Sequence, residues 1–259
     1  WGEWFSLEEL EAALIEHKPA ILALVHAETS TGVCQPMDGV GDLCRKHDCL
    51  LLLDTVTSLG GVPLYIDEWK VDLAYSCSQK GLSCPPGLGP FTMGPRAEEK
   101  MTSRSGKVPN WYLDVSLLNQ YWGSDRVYHH TAPVNMNFGM REALRLLAEE
   151  GLDQAWARHR RNAERLWSGL ERQGLSMHVP EERRLPTLTT VRIPDGVDGK
   201  AFSQHLLNTH GIEVGGGLGS LAGKIWRIGL MGYNSTPENV DRLLNLFETE
   251  LPRFSGSVA

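Results

Sequence analysis

The chain has 259 residues, 41% hydrophobic and 22% charged, close to the average of soluble globular domains, which excludes a collagen-like repeat, a coiled coil and a disordered chain. At roughly 150 residues per domain this is one large domain or two modest ones. The 25 basic and 32 acidic side chains leave a net charge of −7, without the strong basic field that nucleic-acid binders use to displace counterions, and no apolar run approaches the ~20 residues needed to span a bilayer.

Ser6-Leu7-Glu8-Glu9 reads as a capping box, in which the serine caps the amide three residues on and Glu9 reaches back. Leu7, Leu10, Leu14 and Ile15 recur at helical spacing, so a helix is predicted over 7–17, ended by Pro19. Three short apolar runs follow, Ala20–His26, Cys49–Asp54 and Val71–Tyr75. Continuous runs without alternation suit strands buried on both faces of a parallel sheet. The helical character of 38–47 bridges the first two runs and makes a βαβ unit, hence a doubly wound α/β sheet. Ligands of such sheets bind beyond the carboxyl ends of the strands. Here those ends read His26-Ala27-Glu28-Thr29, Asp54-Thr55-Val56-Thr57 and Ser76-Cys77-Ser78-Gln79-Lys80.

From Pro85 to Pro133 the chain is rich in Gly, Pro, Trp and Tyr and reads as loops and short helices. Two long helices are predicted over 135–150 and 152–173, broken at Gly151, the first with Met140, Ala143, Leu144 and Leu147 on one face. Arg158, Arg160 and Arg161 are interleaved with Glu149, Glu150 and Glu164 and read as a solvated helix face. Beyond Pro186 come a strand over 187–193, a helix over 200–210, strands over 212–214 and 225–228, and a last helix opened by Thr236-Pro237 and running to Leu251. The organisation expected is a mostly parallel sheet domain over 1–150, a smaller α+β domain over 151–254 and a tail over 255–259, with disorder after Pro252.

Cys34, Cys44, Cys49, Cys77 and Cys84 are odd in number and hold no CxxC pair. This argues against a disulfide framework and a zinc site, and for a reducing compartment, the cytoplasm. No metal site is expected: His129-His130 are adjacent residues that point opposite ways on an extended chain. Gly215-Gly216-Gly217-Leu218-Gly219 fails both the P-loop and the dinucleotide fingerprint and reads as a flexible loop beside the 225–228 strand. Trp111-Tyr112 and Tyr121-Trp122 read as core or subunit interface.

The strongest pair is Asp54, ending one apolar run, and Lys80, a few residues past the next. Alone, the first reads equally well as a strand-end cap, and the second reads better as a surface lysine. Together at the top of a sheet they suit pyridoxal phosphate: a carboxylate pairs with the protonated ring nitrogen and an amine takes the aldehyde.

HAETSTG (26–32), LLLLDTVTSLGG (50–61), SCSQKGL (76–82) and VYHHTAP (127–133) closely resemble the class V, fold-type-I pyridoxal-phosphate aminotransferases, nearest the alanine–glyoxylate, serine–glyoxylate and serine–pyruvate group in a cyanobacterial-like, bacterial form. The resemblance runs from Trp1 to about Leu251. It implies transamination between alanine or serine and glyoxylate or pyruvate, with Lys80 as the Schiff-base lysine (the internal aldimine) and proton carrier. It further implies that Asp54 holds the ring nitrogen, Val56 packs on a ring face, Thr29 lies near the ring hydroxyl and Gln79 reaches the phosphate. Tyr128 and Thr131 would reach the phosphate in the neighbouring subunit of a homodimer, and Arg227 would fork onto the substrate carboxylate. In that family a Ser/Gly-rich phosphate-binding turn and a ring-stacking aromatic lie upstream of the segment equivalent to Trp1. The chain opens Trp1-Gly2 without an initiator methionine and is therefore expected to be a fragment lacking the N-terminal part of its large domain. The alternatives are a class V lyase of the cysteine desulfurase kind, which needs a nucleophilic cysteine in a mobile loop, and an inactive fragment.

Overall fold

The computed structural model describes residues 1–256. Helix α1 (Leu7–His17) starts on the predicted capping box, Glu9 N donating to Ser6 Oγ at 3.2 Å and Ser6 N to Glu9 Oε2 at 2.8 Å. Strand β1 (Ile21–Val25) is followed by a small antiparallel pair, β2 (Ala27–Glu28) and β3 (Val33–Cys34), then by α2 (Val40–Lys46) and β4 (Leu50–Asp54). Strands β5 (Leu73–Tyr75) and β6 (Phe91–Met93) complete a sheet of order β1-β4-β5-β6. The first three are parallel and β6 is antiparallel to β5.

The register pairs Leu22 with Leu51 and Leu24 with Leu53. These leucines form one face, which packs with Leu10 and Leu14 of α1 and Val40 and Cys44 of α2 into a single core. The other face is open: Ile21 is 47%, Val25 39%, Tyr75 39% and Phe91 49% exposed. The expectation of strands buried on both faces is thus met on one face among the described residues. The apolar runs are two-sided, but α1 and α2 cover one side only.

Asp72 ties the start of this sheet together. Its carboxylate, 3% exposed, accepts from Leu51 N at 2.9 Å and Arg96 Nη1 at 2.8 Å, and Arg96 Nη2 also donates to Cys49 O at 3.2 Å. Asp72→Ala leaves a buried amide unpaired and a half-buried guanidinium without its counter-ion and should lower the unfolding free energy by about 3 kcal/mol, measured by urea titration.

The irregular stretch holds α3 (Pro95–Thr102) and α4 (Val115–Trp122). Helices α5 (Val134–Glu150) and α6 (Leu152–Arg172) meet at Gly151, whose φ of 86° breaks the helix. Of the face predicted for α5 only Ala143 is buried, and Leu144 is 48% exposed. Strand β7 (Leu188–Arg192), α7 (Gly199–His210), β8 (Gly215–Gly216), β9 (Ile225–Gly229) and α8 (Pro237–Glu250) form the rest, with an antiparallel sheet of order β7-β9-β8. The strand expected over 212–214 lies later, at 215–216. The chain leaves α7 through a left-handed Gly211, buries Val214 and pairs only on reaching Arg227. A second core is built on Leu166, Leu170, Phe202, Leu206, Trp226 and Phe247. Ala27 and Val62 meet Leu185 and Leu188 in a third cluster that joins the two halves of the chain.

The expectation of disorder after Pro252 is corrected for residues 252–256; residues 257–259 lie outside the described residues. Leu251–Phe254 forms a 3-10 turn, the Phe254 ring packs on Phe202, Asp198 N donates to Phe254 O at 3.1 Å and Gly256 N to Gly196 O at 2.9 Å. An aromatic anchor and returned backbone bonds hold a segment whose composition alone reads as loose. At the other end, residues 1–4 cross to the C-terminal half: Trp1 packs on Gly219, Glu3 pairs with Arg183, and that guanidinium lies over the Trp4 ring.

Candidate active site

Strands β1, β4 and β5 run parallel, so their carboxyl ends share one edge, and the register sets Asp54 opposite Val25 and Tyr75. Half-buried Asp54 is held by two donors, Val56 N to Oδ1 at 2.8 Å and Tyr75 Oη to Oδ2 at 2.6 Å. The Asp54 carboxylate, with a smaller contribution from burial, pushes the Tyr75 phenol up to about 12, so Tyr75 stays a donor at neutral pH.

Five residues beyond Tyr75, Lys80 sits in a tight loop after β5. Ser78, fully buried, donates through Oγ to Pro85 O at 2.7 Å and accepts from Leu88 N at 3.3 Å, and Ser83 N donates to Lys80 O at 2.9 Å. Gly81 presses on the backbone carbonyl of Leu59, where a Cβ would collide. Half-buried Lys80 and exposed Gln79 line a cavity of about 460 Å³ with Ser83, Gly229, Met231 and Tyr233. Among the described residues the Lys80 amine has no hydrogen-bond or ion-pair partner. A larger cavity of about 590 Å³, walled by Trp4, Trp69 and Trp156, lies away from Lys80 and Asp54.

Arg227, on β9, donates from Nε to Gly216 O at 2.7 Å and from Nη1 to Thr29 O at 3.3 Å. The second bond brings the guanidinium to the carboxyl end of β1. Two of its five N–H donors are used, and three are left without a partner among the described residues. The glycine segment beside it is not a free loop: Gly215 and Gly216 pair with Arg227 and Trp226.

Thr29 and Arg227 thus meet, Asp54 and Val56 meet, and Gln79 and Lys80 share a cavity. Cys77 Sγ, 3.8 Å from Val56 O, links the loops after β4 and β5. Tyr128 and Thr131 are exposed and bond each other at 3.1 Å, outside the cavity. Their neighbour His129 is buried, stacks on Trp111 at 4.0 Å and hydrogen-bonds Trp111 O at 3.1 Å through Nε2, which makes it a structural histidine. Trp111 and Trp122 are exposed and belong to no core here.

The turn after β9 reveals side chains that sequence reasoning missed. Arg158 donates from Nη1 to Gly232 O and Ser235 O, both at 2.9 Å, and is paired with Glu150. Asn162 donates to Ser235 O at 2.8 Å, and His159 Nε2 accepts from Gly232 N at 2.9 Å. Gly232, at φ +56°, sits where a Cβ would strike Ser83 Oγ, and Tyr233 N donates to Ser83 Oγ at 2.8 Å. Three side chains of α6 therefore fix the wall opposite Lys80. The solvated-face reading is corrected for Arg158, whose carbonyl partners Gly232 and Ser235 lie over 70 residues away, beyond any sequence periodicity; Arg160 pairs with Glu164 on an exposed face.

His26 closes β1 at 4% exposure, and burial pulls its imidazole down to about 4. The unfolded chain takes up a proton near pH 6.5 that the folded chain refuses until about pH 4. Stability present above pH 6.5 should therefore fall through that window, by up to about 3 kcal/mol, and His26→Phe should flatten the loss in denaturant titrations at stepped pH.

The profile of the family described as Aminotransferase class-V matches residues 3–243. The alanine–glyoxylate aminotransferase of Mus musculus is 46% identical over 246 residues, covering 93% of this chain and 59% of its own length. A solved alanine–glyoxylate aminotransferase from Nostoc sp. superposes with a TM-score of 0.94 at 67% identity, over 96% of this chain and 66% of that one. The ureidoglycine–glyoxylate aminotransferase of Bacillus subtilis gives 0.95 at 39% identity, over 98% and 66%. The chain thus spans about three fifths to two thirds of the length of these relatives.

Proposed function

The chain belongs to the aminotransferase class-V family, and from that premise we propose that it carries the lysine, the ring-binding aspartate and the carboxylate-binding arginine of a pyridoxal-phosphate enzyme that moves an amino group from alanine or serine to glyoxylate. One observation supports this above the others: an amine without a partner lines a cavity just past the strand edge on which a doubly anchored carboxylate stands.

The donor set fits the cofactor. Asp54 has two acceptor positions filled and others left for a ring N–H, and Lys80 is not tied up in an ion pair. The bound cofactor supplies an electron sink for a carbanion at the substrate Cα. Lys80 binds it and moves the proton at that carbon. Asp54, oriented by the Tyr75 hydroxyl and the Val56 amide, would set its carboxylate against the ring nitrogen. Val56 would pack on the ring, Thr29 would lie near its hydroxyl and Gln79 would reach its phosphate. Arg227, steadied by Gly216 O and Thr29 O, orients the substrate carboxylate.

Tyr128 and Thr131, exposed beside Trp111, Tyr112 and Trp122, suit a homodimer in which they serve the neighbouring site. Five unpaired cysteines suit a reducing, cytoplasmic setting. No described helix is long and apolar enough to cross a membrane. The desulfurase alternative is disfavoured because Cys84 is buried and Cys77 is half-buried against the Val56 carbonyl, so neither rides a mobile loop.

The test is to titrate the chain with pyridoxal 5'-phosphate, reduce with borohydride and map the modified peptide by mass spectrometry, with pyruvate formation from alanine and glyoxylate as the activity readout. A cofactor fixed on Lys80 is expected. Modification spread over surface lysines with Lys80 untouched would overturn the assignment.

A further inference from the structure

Outside the Lys80 cavity, one cluster of side chains has the composition of a metal site. His205 and His210, on the last turns of α7, meet Glu250, the last residue of α8. One ring nitrogen of each histidine and one Glu250 oxygen all lie within 4.8 Å of one another, and all three side chains are half-buried. On a tetrahedral zinc with bonds of 2.0–2.2 Å, neighbouring ligand atoms stand about 3.3 Å apart, so small side-chain rotations close the set. The two imidazole rings are already steeply inclined, at 79° with centroids 5.3 Å apart.

Two observations go beyond composition. The pair of His205 Nε2 with Glu250 Oε2, at 2.9 Å, accounts for two of the three groups. It leaves His210 Nε2 buried without any hydrogen-bond partner among the described residues, an arrangement that costs about 1–3 kcal/mol unless something satisfies it. The other ring nitrogen of His205, Nδ1, stands 3.2 Å from Thr209 Oγ1. With a cation bound in place of the Nε2 proton, donation from Nδ1 to that hydroxyl would leave the Nε2 lone pair for the metal, the outer support typical of metal-bound histidine. Arg242 Nη2 donates to the His210 carbonyl at 2.6 Å and fixes the helix end.

We propose that His205, His210 and Glu250 form a binding site for a zinc-type divalent cation, with water in the fourth position. Two imidazoles and one carboxylate suit zinc, cobalt or nickel and not the all-oxygen preference of magnesium or calcium. The cation ties the end of α7 to the end of α8. It touches no residue of the Lys80 cavity, so the site stands independently of the transamination reading. Arg253, which donates to Glu250 Oε2 at 2.5 Å from an exposed position, competes for the carboxylate and keeps the affinity moderate.

The test uses the untagged full chain, stripped with a chelator and dialysed, then titrated with zinc by calorimetry and with cobalt by visible spectroscopy. One equivalent of zinc is expected, with a rise in the melting temperature, and cobalt should give the visible bands of a tetrahedral nitrogen–oxygen site without thiolate charge transfer. His205→Ala and His210→Ala should each weaken binding at least ~10-fold, while His17→Ala, at the exposed last position of α1, leaves it unchanged. His205→Asn, which keeps a donor for Glu250, controls for folding and should lose the metal equally. No saturable uptake, uptake that survives the His205 and His210 substitutions, or a thiolate spectrum would each overturn the site.

Discussion

Lys80→Ala should abolish the borohydride-fixed cofactor and lower transamination from alanine to glyoxylate by at least ~10⁴-fold, about 5.5 kcal/mol of barrier. In the proposed function the amine is both the attachment point and the group that shuttles the proton, so its removal would take away two functions at once. The fold should be unaffected. The side chain makes no bond to other described residues, and the loop is held by Ser78, Ser83 and Gly81. Far-ultraviolet circular dichroism and urea midpoint should match the parent. Lys80→Arg should be as inactive, because a guanidinium keeps the charge and loses the nucleophile. Retained turnover in either variant removes Lys80 from the chemistry.

Asp54→Asn should reduce turnover by about 10³-fold with the structure intact, the scale on which a preorganised charge acts on a transition state. The exchange is nearly isosteric. An asparagine oxygen still accepts from Val56 N, and its amide donates to a rotated Tyr75 hydroxyl, so both anchoring bonds survive. What disappears is the negative charge proposed to face the ring nitrogen. Tyr75→Phe is the companion experiment. It removes one anchor and leaves the charge, and should cost no more than ~10-fold. If Asn at 54 and Phe at 75 have equal effects, Asp54 acts as a strut for the loop and not through its charge.

Much of this was legible because the residues that matter follow directly on apolar runs. LLLL ends at Asp54, and LAY is followed five positions later by Lys80. Parallel strands carry such ends to one edge whatever the rest of the chain does. The capping box of α1 was legible for the same reason, since its physics is local. What stayed hidden depends on contacts between distant positions. The hold of Arg158, His159 and Asn162 on the 232–235 turn spans more than 70 residues, and a charge run on a helix reads identically whether its arginines face water or a carbonyl. The His205–His210–Glu250 cluster joins positions 45 apart with a five-residue histidine spacing that matches no recurrent ligand motif. Thr29 and Arg227, separated by 198 positions, were placed in one site by resemblance alone; the bond between them needed the fold.

A continuous apolar strand declares that it wants cover but not what covers it. One side of the β1-β4-β5-β6 sheet meets α1 and α2, while Ile21, Val25, Tyr75 and Phe91 stand at the other. A patch of this kind makes the isolated polypeptide its own surfactant. Its colloidal behaviour should follow the lyotropic series, with sulfate driving self-association and low concentrations of urea dispersing it before any unfolding.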